Sequence, residues 1–168
     1  IGLGIPAEPL FRSSILGGMN APYSEITLNV GSKVTIIGSI AGATKINVLN
    51  GGELTIDGVT CDKQITVQSG GKLYTKGTTT LSSSANVFYY GSEFEVVDGT
   101  TTLTTATAGL KGNITIDGNA TLTVGATGGI NSAATALEPT ELHVYGSLNM
   151  SSYRWVFREN NALYFYTG

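Results

Sequence analysis

The sequence predicts an all-β chain wound as a β-solenoid, a coil of short strands in which each turn stacks on the one before it. Two observations support this prediction. Short stretches alternate apolar and polar residues, as at Ile46 and Val48 or at Leu54 and Ile56, and a period of two is the signature of a half-buried strand. The same strand–turn–strand unit also recurs along the chain, and a repeat length of about 20 residues indicates a solenoid.

The repeating unit is clearest over residues 45–58, where two strand-like runs flank the turn Asn50-Gly51-Gly52. Asparagine and glycine tolerate positive φ, so the chain can bend sharply at this turn. Residues 65–77 repeat the unit almost position for position. Further copies, the last of them looser, begin at Ile26, Val87, Ile114, Leu142 and Trp155.

One apolar position in each unit is expected to stack on itself from coil to coil, which predicts about six to seven coils. Its members are Val34, Leu54, Leu73, Phe94, Leu122, Leu148 and Leu163, evenly spaced as far as Phe94 and unevenly beyond it. The side chains predicted to point inward are Ile46, Val48, Leu54, Ile56, Ile65, Val67, Leu73, Val87, Phe94, Val96, Ile114, Ile116, Leu122 and Val124. A meander of β-hairpins would also produce strand–turn–strand units and stands as the alternative. The short connections and the likeness between units favour the solenoid.

The chain divides into three predicted segments. Residues 1–24 lack the repeat and contain three prolines among apolar residues, so they are expected to form an N-terminal cap or docking arm over an open sheet edge. Residues 25–151 form the solenoid. Residues 152–168 contain six aromatic residues around a turn-like Arg158-Glu159-Asn160-Asn161, which predicts a C-terminal hairpin that caps the last coil or forms an interface.

Composition and charge indicate an extracellular protein. Only 12% of the residues are charged, about half the usual share of about 25%. Glycine accounts for 23 of the 168 residues, about twice its usual share of about 7%. A net charge of −3 without a basic run argues against nucleic-acid binding. No apolar run reaches the length of a membrane span, and the single Cys61 is expected to be a buried thiol.

Catalytic chemistry has weak support in the sequence. Glu93 and Glu95 lie on one side of a predicted strand near Asp98, a spacing that permits acid–base chemistry or calcium binding, although a solvated charged face explains it equally well. His143 is the only histidine and is expected on the outward side of its strand. We therefore predict no catalytic, cofactor-binding or metal-binding residue, and no cofactor.

Regular outward columns of threonine would indicate an ice-binding surface. The predicted outward column consists of Thr35, Thr55, Tyr74, Glu95, Thr123, Asn149 and Tyr164. It mixes hydroxyl, carboxyl and aromatic side chains, so the sequence argues against ice binding.

The low charge, the Thr- and Gly-rich repeat and the terminal aromatic runs at 153–157 and 161–166 resemble pieces of phage tail fibres and tailspikes, and repeat regions of bacterial surface adhesins. The resemblance covers about residues 25–168 and implies a trimer or a filament on a virion or cell surface. The repeat also resembles secreted right-handed β-helix proteins, a family that includes polysaccharide lyases and hydrolases.

The expected function is that of a non-enzymatic structural and attachment protein, extracellular or on a virion surface. The alternative is a fragment of a carbohydrate-active β-helix enzyme. The expected partners are copies of the chain itself and a cell-surface glycan or protein receptor, with no nucleic acid and no membrane span. Trp155 is the expected anchor of a subunit interface. The predicted interface residues are Phe11, Tyr153, Trp155, Phe157, Tyr164, Phe165 and Tyr166.

Overall fold

A computed structural model of the chain describes residues 12–16, 19–20, 25–41, 45–105, 110–127, 140–150 and 161–167. These ranges form short strands and no helix. In chain order the strands are β1 (Arg12–Leu16), β2 (Met19–Asn20), β3 (Glu25–Leu28), β4 (Lys33–Ile37), β5 (Ile40–Ala41), β6 (Lys45–Val48), β7 (Glu53–Asp57), β8 (Thr60–Cys61), β9 (Gln64–Val67), β10 (Lys72–Lys76), β11 (Thr78–Leu81), β12 (Val87–Phe88), β13 (Glu93–Val96), β14 (Gly99–Thr105), β15 (Asn113–Ile116), β16 (Ala120–Thr127), β17 (Glu141–Val144), β18 (Ser147–Met150) and β19 (Ala162–Phe165).

The strands build three faces around one core. The first face is an eight-stranded sheet in the order β1-β4-β7-β10-β13-β15-β17-β19. The second face is β18-β16-β14-β11-β8, the third face is β12-β9-β6-β3, and β2 pairs separately with β5. Strands from successive turns pair in parallel throughout the described residues. This pairing confirms a β-solenoid and excludes the hairpin meander, whose strands would be antiparallel. Among the described strands, five belong to the second face and eight to the first, against the six to seven coils predicted.

The glycine turns form a corner between the third and first faces, so the two strands of each unit do not pair with each other. At this corner the backbone N–H of Gly51 donates to the carbonyl of Gly70 at 2.9 Å, and the N–H of Gly31 donates to the carbonyl of Gly51 at 2.9 Å. Gly51 has a φ of 73°, which glycine adopts without strain. A side chain at Gly52 would bring Cβ within 2.7 Å of the Leu28 carbonyl oxygen, which explains the second glycine of the turn.

The predicted core is confirmed except at Val87. The other thirteen residues predicted to point inward are buried, whereas Val87 is half-buried. Strand β12 pairs Val87 with Thr66 and Phe88 with Val67, and Phe88 is buried in its place. Asn86 fixes this register, because its side-chain oxygen accepts a hydrogen bond from the backbone N–H of Ile65 at 2.8 Å.

The stacked apolar column was predicted wrongly at Leu122 and Leu148, whereas Leu163 lies in it as predicted. In the first face Phe94 lies beside Ile114, then Leu142, then Leu163, so the column advances by nearly equal steps except for one longer step before Leu142. Leu122 and Leu148 lie beside each other in the second face instead. The period is therefore more regular than the sequence suggested.

The predicted end segments are described only in part. Strand β1, inside the predicted segment 1–24, pairs with β4. Strand β19 extends the first face by pairing in parallel with β17, and residues 153–157, the other predicted hairpin strand, lie outside the described residues. Cys61 is buried as predicted, and burial raises the pKa of its thiol. Within the described ranges there is no helix long and apolar enough to cross a membrane.

Candidate functional site

The outward side of the first face changes in chemistry along the stack. Its central column begins with hydroxyl side chains and ends with charged and aromatic ones: Thr35, Thr55, Tyr74, Glu95, Thr115, His143 and Tyr164. The register puts Thr115 and His143 where Thr123 and Asn149 had been expected. The outward residues of the last turns form a surface that we call the aromatic–acidic patch: Glu93, Glu95, Asp117, Glu141, His143, Tyr145, Tyr164 and Tyr166.

Carboxyl groups lie at one end of the patch. Glu93 forms an ion pair with Lys72 at 2.6 Å. Partial burial raises the pKa of Glu95, and the charge of Asp117 and a hydrogen bond between the two side chains raise it further. Asp98 does not belong to this group as the sequence suggested, because its side chain accepts a hydrogen bond from the backbone N–H of Gly77 at 2.8 Å.

Stacked rings form the other end of the patch. The ring of His143 stacks on Tyr164, with centroids 4.8 Å apart, and Tyr145 stacks on Tyr166, with centroids 4.1 Å apart and planes 8° apart. The Nδ1 of His143 lies 2.9 Å from the Tyr166 hydroxyl, and its Nε2 lies 3.1 Å from a carboxylate oxygen of Glu141. Both ring nitrogens of the predicted outward histidine are therefore engaged, and the rings hold one another in place.

A shallow depression of about 190 Å³ separates the carboxyl end from the rings. It is lined by Glu93, Phe94, Glu95, Asn113, Thr115 and His143. The depression thus offers carboxylate oxygens, an amide, a hydroxyl and an imidazole within one open surface. Such a mixture offers hydrogen-bond donors and acceptors to a polar ligand.

The predicted interface residues fall partly within this region. Tyr164 and Tyr166 belong to the patch and are each 41% exposed. Phe165 points inward beside Val144 but is 66% exposed, because it lies on the last described strand of the first face. The remaining predicted interface residues lie outside the described ranges: Phe11, Tyr153, Trp155 and Phe157. An interface role for these seven residues stays a prediction.

Sequence analysis missed the contributions of three residues to the patch: Asp117, Glu141 and Tyr145. Glu141 begins β17, whereas Asp117 and Tyr145 each follow a strand of the first face, and their backbone N–H groups bond to the carbonyls of Val96 and Ile116 in the preceding turns. Correct parallel register between successive turns would have placed these residues beside the other members of the patch. Among the described residues, no group of three or more His, Cys, Asp or Glu side chains could hold a metal ion.

Comparison with known proteins gives no family for this chain: no protein-family model, no curated protein and no solved structure matches it. The structure establishes a β-solenoid repeat protein.

Proposed function

We propose that this chain is a non-enzymatic structural and attachment protein, a subunit of a virion tail fibre or of an extracellular surface filament or adhesin. It contacts a cell-envelope glycan through the aromatic–acidic patch. The observation that supports this most directly is the pair of stacked ring systems, His143 with Tyr164 and Tyr145 with Tyr166. They lie exposed beside carboxyl groups on one sheet.

The chemistry of the patch fits a sugar. An aromatic ring offers a flat apolar surface with a polar group at its rim, and the faces of Tyr164 and Tyr166 that His143 and Tyr145 do not cover match the C–H face of a sugar ring with its hydroxyls at the edge. Glu93 and Glu95 supply acceptors for such hydroxyls, and the amide N–H groups of Asn113 supply donors, while its side-chain oxygen accepts from the backbone N–H of Glu141 at 3.3 Å. The patch would therefore bind a neutral or hydroxyl-rich glycan better than an acidic one, because its own carboxylates repel anions.

The setting of the patch also favours binding. Its side chains lie on or directly after strands of a continuous eight-stranded sheet, so little conformational entropy is lost when a ligand binds. Upstream on the same face, Lys33 pairs with Glu53 at 2.8 Å, and Lys72 pairs with Glu93. These ion pairs join successive turns of the first face.

Self-association completes the proposal. Leu163 and Phe165 occupy inward positions of β19 and are 40% and 66% exposed. Large apolar side chains left exposed together mark a contact surface. A second or third copy of the chain would cover this end and place several patches side by side, which multiplies weak glycan affinities.

A glycan array followed by calorimetry with the best ligand tests attachment. Tyr164→Ala should weaken binding at least about tenfold, the effect of about 1.4 kcal/mol, because it removes an exposed stacking surface. Tyr89→Ala is the matched control, since Tyr89 is 44% exposed and follows β12 of the third face. Equal loss in both variants, or no glycan bound by the intact chain, would contradict attachment through this patch.

One observation favours a second candidate, a carbohydrate-active enzyme. Partial burial and the neighbouring Asp117 raise the pKa of Glu95, and a carboxyl group with a raised pKa can serve as the general acid of glycoside hydrolysis. Incubation with a panel of bacterial polysaccharides and an assay for new reducing ends tests it. Product formed by the intact chain and lost in Glu95→Gln would replace the attachment proposal with the enzymatic one.

A further inference from the structure

The outward side of the second face carries a two-dimensional array of threonines. Strands β11, β14 and β16 each place one outward threonine on either side of an inward residue. We call these six residues the threonine array: Thr78, Thr80, Thr100, Thr102, Thr121 and Thr123. Register aligns them into two columns, Thr78–Thr100–Thr121 and Thr80–Thr102–Thr123. Thr60 extends the second column at one end, and Ser147 and Asn149 follow the two columns at the other.

This array overturns the sequence-based argument against an ice-binding surface. That argument placed Thr123 and Asn149 in the outward column of the first face, where the column is mixed. The structure places both residues in the second face, with Thr123 beside Thr102 and Asn149 beside Thr123. With the correct register, each of the two central outward positions of the second face is a threonine in three successive turns.

Hydrogen bonding separates the outward threonines from the inward ones. The inward hydroxyl of Thr79 donates to the carbonyl of Lys76 at 2.7 Å, and that of Thr101 bonds to the hydroxyl of Thr75 at 2.7 Å. The six hydroxyls of the threonine array make no side-chain hydrogen bond within the described part of the chain. Their hydrogen-bonding capacity is therefore available to water.

The spacing of the array suits a lattice of water. Neighbouring strands lie about 4.8 Å apart, and outward residues two apart along a parallel strand are separated by about 6.6 Å. The array is thus a regular two-dimensional lattice of hydroxyl and methyl groups, against which a layer of water can order. Because threonine is β-branched, its χ1 angle is restricted to few rotamers. The methyl and hydroxyl groups therefore repeat from turn to turn with the same regularity as the backbone.

The array also lacks charge. None of its six residues, nor Thr60, Ser147 and Asn149 around it, carries a charged side chain, whereas the first face alternates lysine and glutamate from Lys33 to Glu93. A charged group orders water around itself in a geometry that differs from ice. An uncharged surface of alternating methyl and hydroxyl groups allows water to take its own lattice arrangement.

We propose that the threonine array binds ice, by ordering water between its methyl and hydroxyl columns until that layer merges with the crystal surface. This activity is separate from glycan attachment, because it uses a different face and different residues. A chain exposed on a cell or virion surface would then hold to ice or limit its growth.

The experiment measures thermal hysteresis and the shape of single ice crystals in solutions of the intact chain. The central variant is Thr102→Tyr, which inserts a large ring in the middle of the array. The matched control is Thr55→Tyr on the first face, where Tyr74 of the next turn already occupies the same column. The intact chain and Thr55→Tyr should both shape ice and show hysteresis, and Thr102→Tyr should lose most of that activity.

A double variant, Thr100→Ser with Thr102→Ser, guards against misfolding because it removes two methyl groups and keeps both hydroxyls. It should also lower hysteresis while circular dichroism remains that of the intact chain. Absence of hysteresis in the intact chain overturns the proposal, and so does equal activity in Thr102→Tyr and Thr55→Tyr. Sedimentation provides the last outcome: an oligomer dissociated by Thr102→Tyr alone would make this face an interface between copies and also overturn the proposal.

Discussion

Truncation of Leu54 to alanine tests the stacked core most directly. Leu54 is fully buried and lies in register between Val34 and Leu73. The substitution removes three carbon groups, a loss of about 2.4 kcal/mol at about 0.8 kcal/mol for each buried methylene. Because neighbours above and below are fixed by the sheet, the gap cannot close, and the cavity brings the expected cost to about 3–5 kcal/mol.

The same column contains its own comparison. Leu163 occupies the equivalent position in β19 but is 40% exposed. Its truncation loses only the buried part of the transfer energy, about 1.5 kcal/mol, and it leaves no closed cavity. Leu54→Ala should therefore cost two to three times as much as Leu163→Ala, about the ratio of these two estimates.

Urea denaturation followed by circular dichroism measures both free energies of unfolding. The slope with denaturant should stay constant for Leu54→Ala, since the unfolded surface is unchanged. Solenoid turns interact mainly with their neighbours, so a minor early transition in Leu163→Ala would report fraying of the last turn. A cost below about 1 kcal/mol for Leu54→Ala, or equal costs for both variants, would refute the stacked register.

Three further changes have definite expected results in the same assay. Gly99→Ala should cost at least about 2 kcal/mol, because Gly99 has a φ of 67° and a Cβ there would clash with the Gly77 carbonyl oxygen. Glu95 binds its proton more tightly in the folded state, so stability should fall as pH rises from the ordinary carboxyl pKa of 4.5 through the raised one. Glu95→Gln should abolish that fall and Asp117→Asn should reduce it, and an unchanged profile would contradict both. Lys72→Met should change stability by less than about 1 kcal/mol, because exposed ion pairs contribute little; a larger loss would show that the pair is needed.

Alternation and period predicted the solenoid and most of its core. The units around Leu54 and Leu73 follow each other without insertions, so equivalent positions could be aligned by eye. The inward strand positions there are buried as expected. Alternation alone could not distinguish Val87 from Phe88, because both are apolar and adjacent. That choice depended on Asn86, whose bond to the Ile65 backbone exists only after the turns have stacked.

Register across the later turns could not be read from the sequence. Residues 114–124 contain two alternating runs, and both resemble the first strand after a corner. The run at Ile114 belongs to the first face and the run at Leu122 to the second. Neighbouring side chains on one face come from different turns, far apart in the sequence. Assigning the run at Leu122 to the first face therefore hid two surfaces. It separated Asp117 from Glu95, and it removed Thr123 from the threonine columns.

The two candidate surfaces reflect the different constraints on the inward and outward positions of each strand. Inward positions in the first face remain apolar or internally bonded through the stack, as at Leu54, Leu73 and Thr75, while backbone bonds between turns do not depend on the side chain. Outward positions are therefore free to vary without loss of the fold, and they do vary, from Thr55 to His143 along one column. Threonine's β propensity favours it at such positions, but the fold does not require the same residue in every turn, as occurs in the threonine array. This contrast is the strongest physical argument that the uniform second face and the varied first face serve different ligands.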